Sequence, residues 1–226
     1  KISKIISIKD KIILEIGPGT GNLTSEILIN KPKKVYVVEK DENLALHLKK
    51  KFGTRLDIIN KDVLKFDEQS LSSKKLNVFG NLPYNISSPI LFKFMAESNW
   101  RQLVVMIQKE VAERIVADSN NKKYGRLSIM MQTFFNVEIK FHIPNSVFRP
   151  IPEVKSSLLS ITPKINNNII YENLKLVVES AFRHRRKKLK HNLKNIINDE
   201  NLNFIKDKRA EELSVNEFQE LSKLIN

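Results

Sequence analysis

Over the first two thirds of the chain, short apolar runs alternate with segments of helical spacing. Residues 11–16, 34–38, 56–60, 76–79 and 103–107 are compact Ile-, Leu- and Val-rich stretches that predict strands. Between them, residues 22–28, 41–52 and 90–96 place apolar positions three and four apart, as helices do. In 41–52, for example, Leu44, Leu48 and Phe52 share one side while Lys49, Lys50 and Lys51 are solvated. Strand and helix in alternation predict a doubly wound α/β fold, and the unbroken apolar character of 103–107 is that of a parallel strand buried on both faces. Two amphipathic helices follow, 110–117 and 126–135, separated by the polar loop 119–123. Then come two strands, 137–143 and 157–161, expected to be antiparallel. Met106, Met130 and Met131 read as core.

After Lys164 the pattern changes. A polar connector around Asn166, Asn167 and Asn168 leads to helices at 174–182, 189–197 and 214–225, the last opened by the capping box Ser214-Val215-Asn216-Glu217. The expected division is a sheet domain over 1–164 and a small all-helical domain over 165–226.

Composition narrows the partner. The 226 residues carry 39 Lys and Arg against 25 Asp and Glu, a net charge of +14. Such a balance favours a polyanion: nucleic acid first, an anionic membrane surface second, with a merely solvated basic surface as the plain alternative. A hydrophobic content of 41% supports an ordinary core. Without cysteine there are no disulfides, thiolate metal sites or Cys nucleophiles, and no metal site is expected. No apolar run reaches membrane-spanning length and no signal peptide is visible, so a cytoplasmic or organelle-matrix location is expected, the cytoplasm first.

The chemistry gathers at predicted strand ends. The first strand stops at Gly17-Pro18-Gly19-Thr20-Gly21, where glycines permit positive φ and close approach of a ligand. Asn22 stands where a dinucleotide fingerprint needs its third glycine, which argues against a pyrophosphate-bearing cofactor; a tight turn without ligand is the alternative. Glu39 ends the second strand, about 20 residues past that turn, where such sheets place the acid that holds ribose hydroxyls. Asp62 follows the third strand, placed to accept from an adenine amino group or, alternatively, to cap a loop. The fourth strand delivers Asn81-Leu82-Pro83-Tyr84. Pro83 keeps Leu82 extended, so that the Asn81 amide and the Leu82 carbonyl can converge on an amino group while Tyr84 stacks on a flat base. The same residues also suit an ordinary strand-to-helix turn with Tyr84 packed inward. Downstream, the prolines of Phe148-Arg149-Pro150-Ile151-Pro152 stiffen an extended loop; Phe148 either forms a second aromatic face or tucks under the loop. A dense basic block, Arg183, Arg185, Arg186, Lys187, Lys188 and Lys190, suits phosphate contacts better than a solvated face. His184 and His191 can add to it; His47 reads as surface, and His142 has no visible partner.

With Glu15-Ile16-Gly17-Pro18-Gly19-Thr20-Gly21, Glu39, Asp62, Asn81-Leu82-Pro83-Tyr84 and Phe148-x-Pro-x-Pro in this order, the chain resembles the ribosomal RNA adenine N6,N6-dimethyltransferases, most of all the bacterial small-subunit branch. Gln108 to Arg114, Tyr124 to Ser128 and Arg209 to Ser214 extend the resemblance to nearly the whole chain. It implies a Rossmann-like class I methyltransferase sheet, S-adenosylmethionine as cofactor, and dimethylation of two adjacent adenosines near the 3′ end of small-subunit ribosomal RNA within an immature subunit. By position, Gly17 would line the methionine portion of the cofactor, Glu39 would hold its ribose and Asp62 its adenine amino group, with further contacts at Gly19, Lys40 and Val63. Asn81 would stand between cofactor and target, and Asn81, Leu82, Pro83, Tyr84 and Phe148 would form the catalytic clamp. A monomer is expected. The family also carries a basic tail and a Gln-Asn segment ahead of the glycine motif, with no counterpart before Lys1; a chain lacking them is expected to bind cofactor more weakly. Two other readings stand beside this one: an RNA-binding assembly factor with little or no methylation, and a DNA adenine methyltransferase.

Overall fold

The computed structural model describes residues 3, 5–72, 74–96, 99–147, 153–165, 168–184, 186–205 and 207–225. Seven strands form one sheet: β1 (Ile12–Ile16), β2 (Lys34–Glu39), β3 (Asp57–Asn60), β4 (Leu76–Asn81), β5 (Trp100–Gln108), β6 (Phe135–Ile143) and β7 (Ser156–Pro163), in the order β3-β2-β1-β4-β5-β7-β6. The helices are α1 (Asn22–Ile29), α2 (Glu42–Phe52), α3 (Ser87–Ala96), α4 (Lys109–Ile115), α5 (Arg126–Phe134), α6 (Tyr171–Ala181), α7 (Leu189–Leu193) and α8 (Val215–Lys223).

Strands β3, β2, β1, β4 and β5 are parallel, and β7 runs antiparallel to β5. The order reverses between β1 and β4. That reversal opens a crevice at the carboxyl ends of the two strands, because the connections leaving them turn to opposite faces of the sheet. The expected α/β class is therefore observed.

The chain forms two compact units. The first comprises residues 1–112 and 138–162; the second comprises 113–137 and 163–226. The chain thus crosses between them three times, and the division expected near residue 164 corresponds to the last crossing alone.

In the first unit, Ile13, Ile27, Val35, Val37, Leu48 and Phe79 anchor a core that is out of contact with solvent. Helix α2 shows how sequence sets an element: the Asp41 carboxylate accepts from the Leu44 amide at 3.0 Å to start it, Leu48 and Phe52 bury one side, and lysines occupy its last turn, where they offset the helix dipole. Gly80, in β4 opposite Ile16 of β1, has no room for a side chain; a Cβ there would lie 2.8 Å from Leu82 and 3.3 Å from the Ile16 backbone oxygen. Strand β4 consequently continues in register past the expected end at Phe79 to Asn81. Trp100 opens β5 and donates its indole N–H to the Phe94 carbonyl at 2.8 Å.

In the second unit, Leu174, Val177 and Val178 of α6 and Phe218 and Leu221 of α8 are buried. The Phe182 and Phe218 rings stack 6.0 Å apart. Ser214 and Glu217 form the capping box read from the sequence. Helix α7 ends at Leu193, short of the expected 197, and the chain continues in turns to Ile197.

Candidate active site

Three glycines follow β1 with left-handed φ: Gly17 at 59°, Gly19 at 57° and Gly21 at 80°. They do different things. A Cβ on Gly21 would strike the Phe52 ring at 2.5 Å and Leu48 at 2.9 Å, so this glycine lets the turn pack on α2. Nothing lies within 4 Å of a Cβ on Gly17 or Gly19, which face open space.

That space is a cavity of about 430 Å³ at the β1/β4 crevice, bounded by Glu15, Gly17, Gly19, Glu26, Asn81 and Met106 among others. Its walls bring together Gly17, Gly19 and Asn81 from the predicted set. Glu39, Lys40, Asp62, Val63, Leu82 and Tyr84 are not among its lining residues.

A chain of polar contacts links Glu39 and Asp62 to the glycine turn. The buried Glu39 carboxylate accepts from the Gly19 amide at 3.2 Å and, through its other oxygen, from the Asp41 amide at 3.0 Å. It ties the glycine turn to the end of β2, and each oxygen keeps capacity for a further donor. The Asn60 amide donates to the Glu39 carbonyl at 2.9 Å, securing the next strand end. Asp62 accepts from the Leu64 amide at 3.0 Å and pairs with Lys40 at 3.1 Å. The Leu64 amide first, and Lys40 second, hold its carboxyl below the usual carboxylate range. Asp62 therefore caps a short turn, as the plainer sequence reading allowed, and Val63 is buried beneath it.

Asn81 ends β4 and is exposed. Leu82 is buried, its amide donating to the Met106 carbonyl at 3.0 Å; this fixes the backbone between Asn81 and Pro83. Pro83 has φ −56° and ψ 133°, the extended geometry its ring favours. Tyr84 is half-buried, with its hydroxyl 2.7 Å from the Ser156 Oγ on β7. Phe148 lies outside the described residues.

A model of the ribosomal RNA adenine dimethylase family matches residues 2–226. The chain belongs to that family. It is 50% identical over 196 residues to ribosomal RNA small subunit methyltransferase A of Pelagibacter ubique, covering 84% of this chain and 75% of the relative. The enzyme of the same name from Francisella tularensis subsp. novicida is 40% identical, with 100% and 91% covered. Among solved structures, a dimethyladenosine transferase from Plasmodium falciparum superposes with a TM-score of 0.83 at 28% identity, over 97% of this chain and 92% of that one. The 23S rRNA methyltransferase ErmE shares the fold, with a TM-score of 0.73 at 20% identity over 98% and 95%. Family membership makes the chain an rRNA adenine dimethyltransferase rather than a non-catalytic assembly factor. Use of S-adenosylmethionine goes with both fold and family.

Two residues of this site carry no assignment from sequence. Glu15, central in β1, is 1% exposed, lines the cavity and accepts from the Thr24 hydroxyl at 2.6 Å. Burial pushes its carboxyl up to about 7, the Thr24 bond pulling the other way. An acid inside an apolar run was the available signal, because a carboxylate buried without a charge partner is costly. Ser156 carried no local signal. His142, for which the sequence suggested no partner, shares a 2.8 Å hydrogen bond with the Ser157 Oγ.

In the second unit, Arg183, Arg186, Lys187 and Lys188 are exposed. Lys188 pairs with Asp207 at 2.6 Å, and the His184 and His191 rings lie 6.4 Å apart. Arg185 lies outside the described residues. Among the described residues no helix is long and apolar enough to cross a membrane.

Proposed function

We propose that the chain transfers methyl groups from S-adenosylmethionine to N6 of two adjacent adenosines near the 3′ end of small-subunit ribosomal RNA, two per base. The substrate is an immature small subunit, the location is cytoplasmic and the enzyme acts as a monomer. The observation that carries the reading is the cavity shared by the glycine turn after β1 and Asn81 at the end of the adjacent β4.

The residues present fit the cofactor. Gly17 and Gly19 leave open backbone where a side chain would intrude, and Glu39 retains acceptor capacity for ribose hydroxyls. Glu15, a buried acid on the cavity wall, suits an ammonium group. Asp62, Lys40 and Val63, beyond the cavity's own lining, would contact the adenine end of the cofactor. When bound, the cofactor supplies an electrophilic methyl group on a sulfonium.

The chain's own task is then to orient a weak nucleophile, since the adenine amino lone pair is delocalised into its ring. The Asn81 side-chain oxygen and the Leu82 carbonyl accept the two amino hydrogens and draw the nitrogen toward a pyramidal shape. The Tyr84 ring holds the swung-out base, with Phe148 on its other face. Positioning of this kind is worth roughly 7–11 kcal/mol, so no strong base is needed and the amino proton passes to solvent. The block of Arg183, Arg185, Arg186, Lys187, Lys188 and Lys190 contacts RNA phosphates.

Labelled-methyl transfer to immature small subunits, compared with large subunits and DNA, tests the reading. Labelled N6,N6-dimethyladenosine in small-subunit RNA alone is the expected result; label in DNA or large-subunit RNA instead would overturn it.

A further inference from the structure

A second basic surface lies at the opposite ends of the strands from the cavity. Lys11 and Lys75 each immediately precede the neighbouring strands β1 and β4, Lys34 opens β2, and Arg55 stands just ahead of β3. Here Lys31, Lys33, Lys34 and Arg55 surround a concavity of about 330 Å³, and Asp57 is the one acid among the described residues that line it. Four cations against one carboxylate leave a formal charge of +3, and Asp57 is already engaged by Lys34 at 2.7 Å.

The concavity has a defined frame. Lys31 has φ 51° and Asp10 φ 58°, left-handed values that side chains rarely adopt. The two segments are joined: the Asp10 amide donates to the Lys31 carbonyl at 3.1 Å, and the Lys33 amide donates to the Lys11 carbonyl at 2.8 Å. Arg55 is oriented by its Nε bond to the Phe52 carbonyl, at 3.2 Å, and its guanidinium lies 5.6 Å from the Phe52 ring centre. Lys31 and Lys33 are exposed and have no acidic partner among the described residues. Like charges held this close repel, and a phosphate relieves that repulsion while releasing the RNA's counterions.

We propose that this rim is a second phosphate-binding site for RNA, used in addition to the basic block at 183–190. It rests on the proposed RNA substrate, and gives the sheet unit a hold on the RNA backbone that is independent of the methyl-transfer cavity.

The test is binding of the full chain to transcribed small-subunit ribosomal RNA across a salt series. Lys31→Glu with Lys33→Glu is compared with Lys49→Glu plus Lys50→Glu, an equal charge change on the exposed side of α2, and with Arg186→Glu plus Lys187→Glu in the block. The rim pair is expected to reduce the slope of log affinity against log salt by about two, while the α2 pair changes it far less. A rim slope equal to wild type or to the α2 control overturns the proposal. If only the block pair flattens the slope, the rim fails and the RNA reading survives. If no pair changes it, both fail. Thermal unfolding and S-adenosylmethionine binding, expected to match wild type in the rim variant, show that a loss is not one of folding.

Discussion

The Tyr84 hydroxyl lies 2.7 Å from the Ser156 Oγ, tying the turn after β4 to β7. Ser156 is fully buried and pairs in register with Gln108, so it is a fixed point against which the Tyr84 ring is oriented. Tyr84→Ala should abolish methyl transfer while sparing S-adenosylmethionine binding. Tyr84→Phe and Ser156→Ala should each slow single-turnover transfer by about 5-fold, the worth of one hydrogen bond near 1 kcal/mol. The double variant should be no slower than either alone, because both remove the same contact.

Glu39 holds the glycine turn and, by our proposal, the cofactor's ribose. Glu39→Ala should weaken S-adenosylmethionine binding by about 10- to 100-fold, as expected for loss of charge-assisted hydrogen bonds of about 1.5–3 kcal/mol. Asp62→Ala should have the smaller effect, since an exposed pair with Lys40 contributes little. Titration calorimetry on the two variants checks the order; a larger loss at Asp62 would reverse the assignment of the stronger contact.

The glycines give a contrast between stability and binding. Gly21→Ala forces a Cβ into Phe52 at a left-handed position and should destabilise the fold by about 2–4 kcal/mol. Gly17→Ala meets no atom and should cost only the backbone strain, about 1–2 kcal/mol, yet it puts a methyl group into the cavity. Denaturant unfolding and cofactor titration should therefore rank the two variants in opposite orders.

Glu15 predicts a dependence on pH. In the folded chain its carboxyl keeps its proton to about pH 7, whereas the unfolded chain releases it near the ordinary 4.5. The folded state binds more protons in that window, so this group makes stability fall as pH rises from about 4.5 to about 7. Glu15→Gln, which can still accept from Thr24, should flatten that fall and gain up to about 3 kcal/mol above pH 7. Cofactor affinity should move the other way, rising with pH in the wild type as the carboxylate forms beside the ammonium, and losing that rise in Glu15→Gln. Unfolding and calorimetry at pH 5 and pH 8 measure both.

The parallel sheet and the positions of its turns were legible because each strand is a short apolar run stopped by a glycine or polar group. The same pattern located Gly17, Glu39, Asp62 and Asn81 at strand ends. It could not distinguish the three glycines, whose roles depend on whether Phe52 or open space lies opposite. It also stopped β4 too early: the apolar run ends at Phe79, but the bare backbone of Gly80 still pairs with Ile16 of β1. The Ser156 contact was beyond local reading, since the partners are separated by 72 positions and no periodicity links them. Glu15 was visible as an acid among apolar neighbours, but its raised affinity for a proton comes from the packing around it.

Helix α5 belongs to the second unit although the sheet's last two strands, which follow it in the chain, lie mostly in the first. Arg126 pairs with Glu179 of α6 at 2.6 Å, and Gln219 of α8 reaches Thr133 at 3.4 Å. Truncation after Thr162 would therefore strand residues 113–137 with their apolar sides uncovered and would yield an aggregation-prone fragment. A soluble catalytic half would require excising that insertion and bridging Ala112 to Glu138. The second unit is thus not a contiguous tail, because part of its framework is encoded inside the sheet's own stretch of chain.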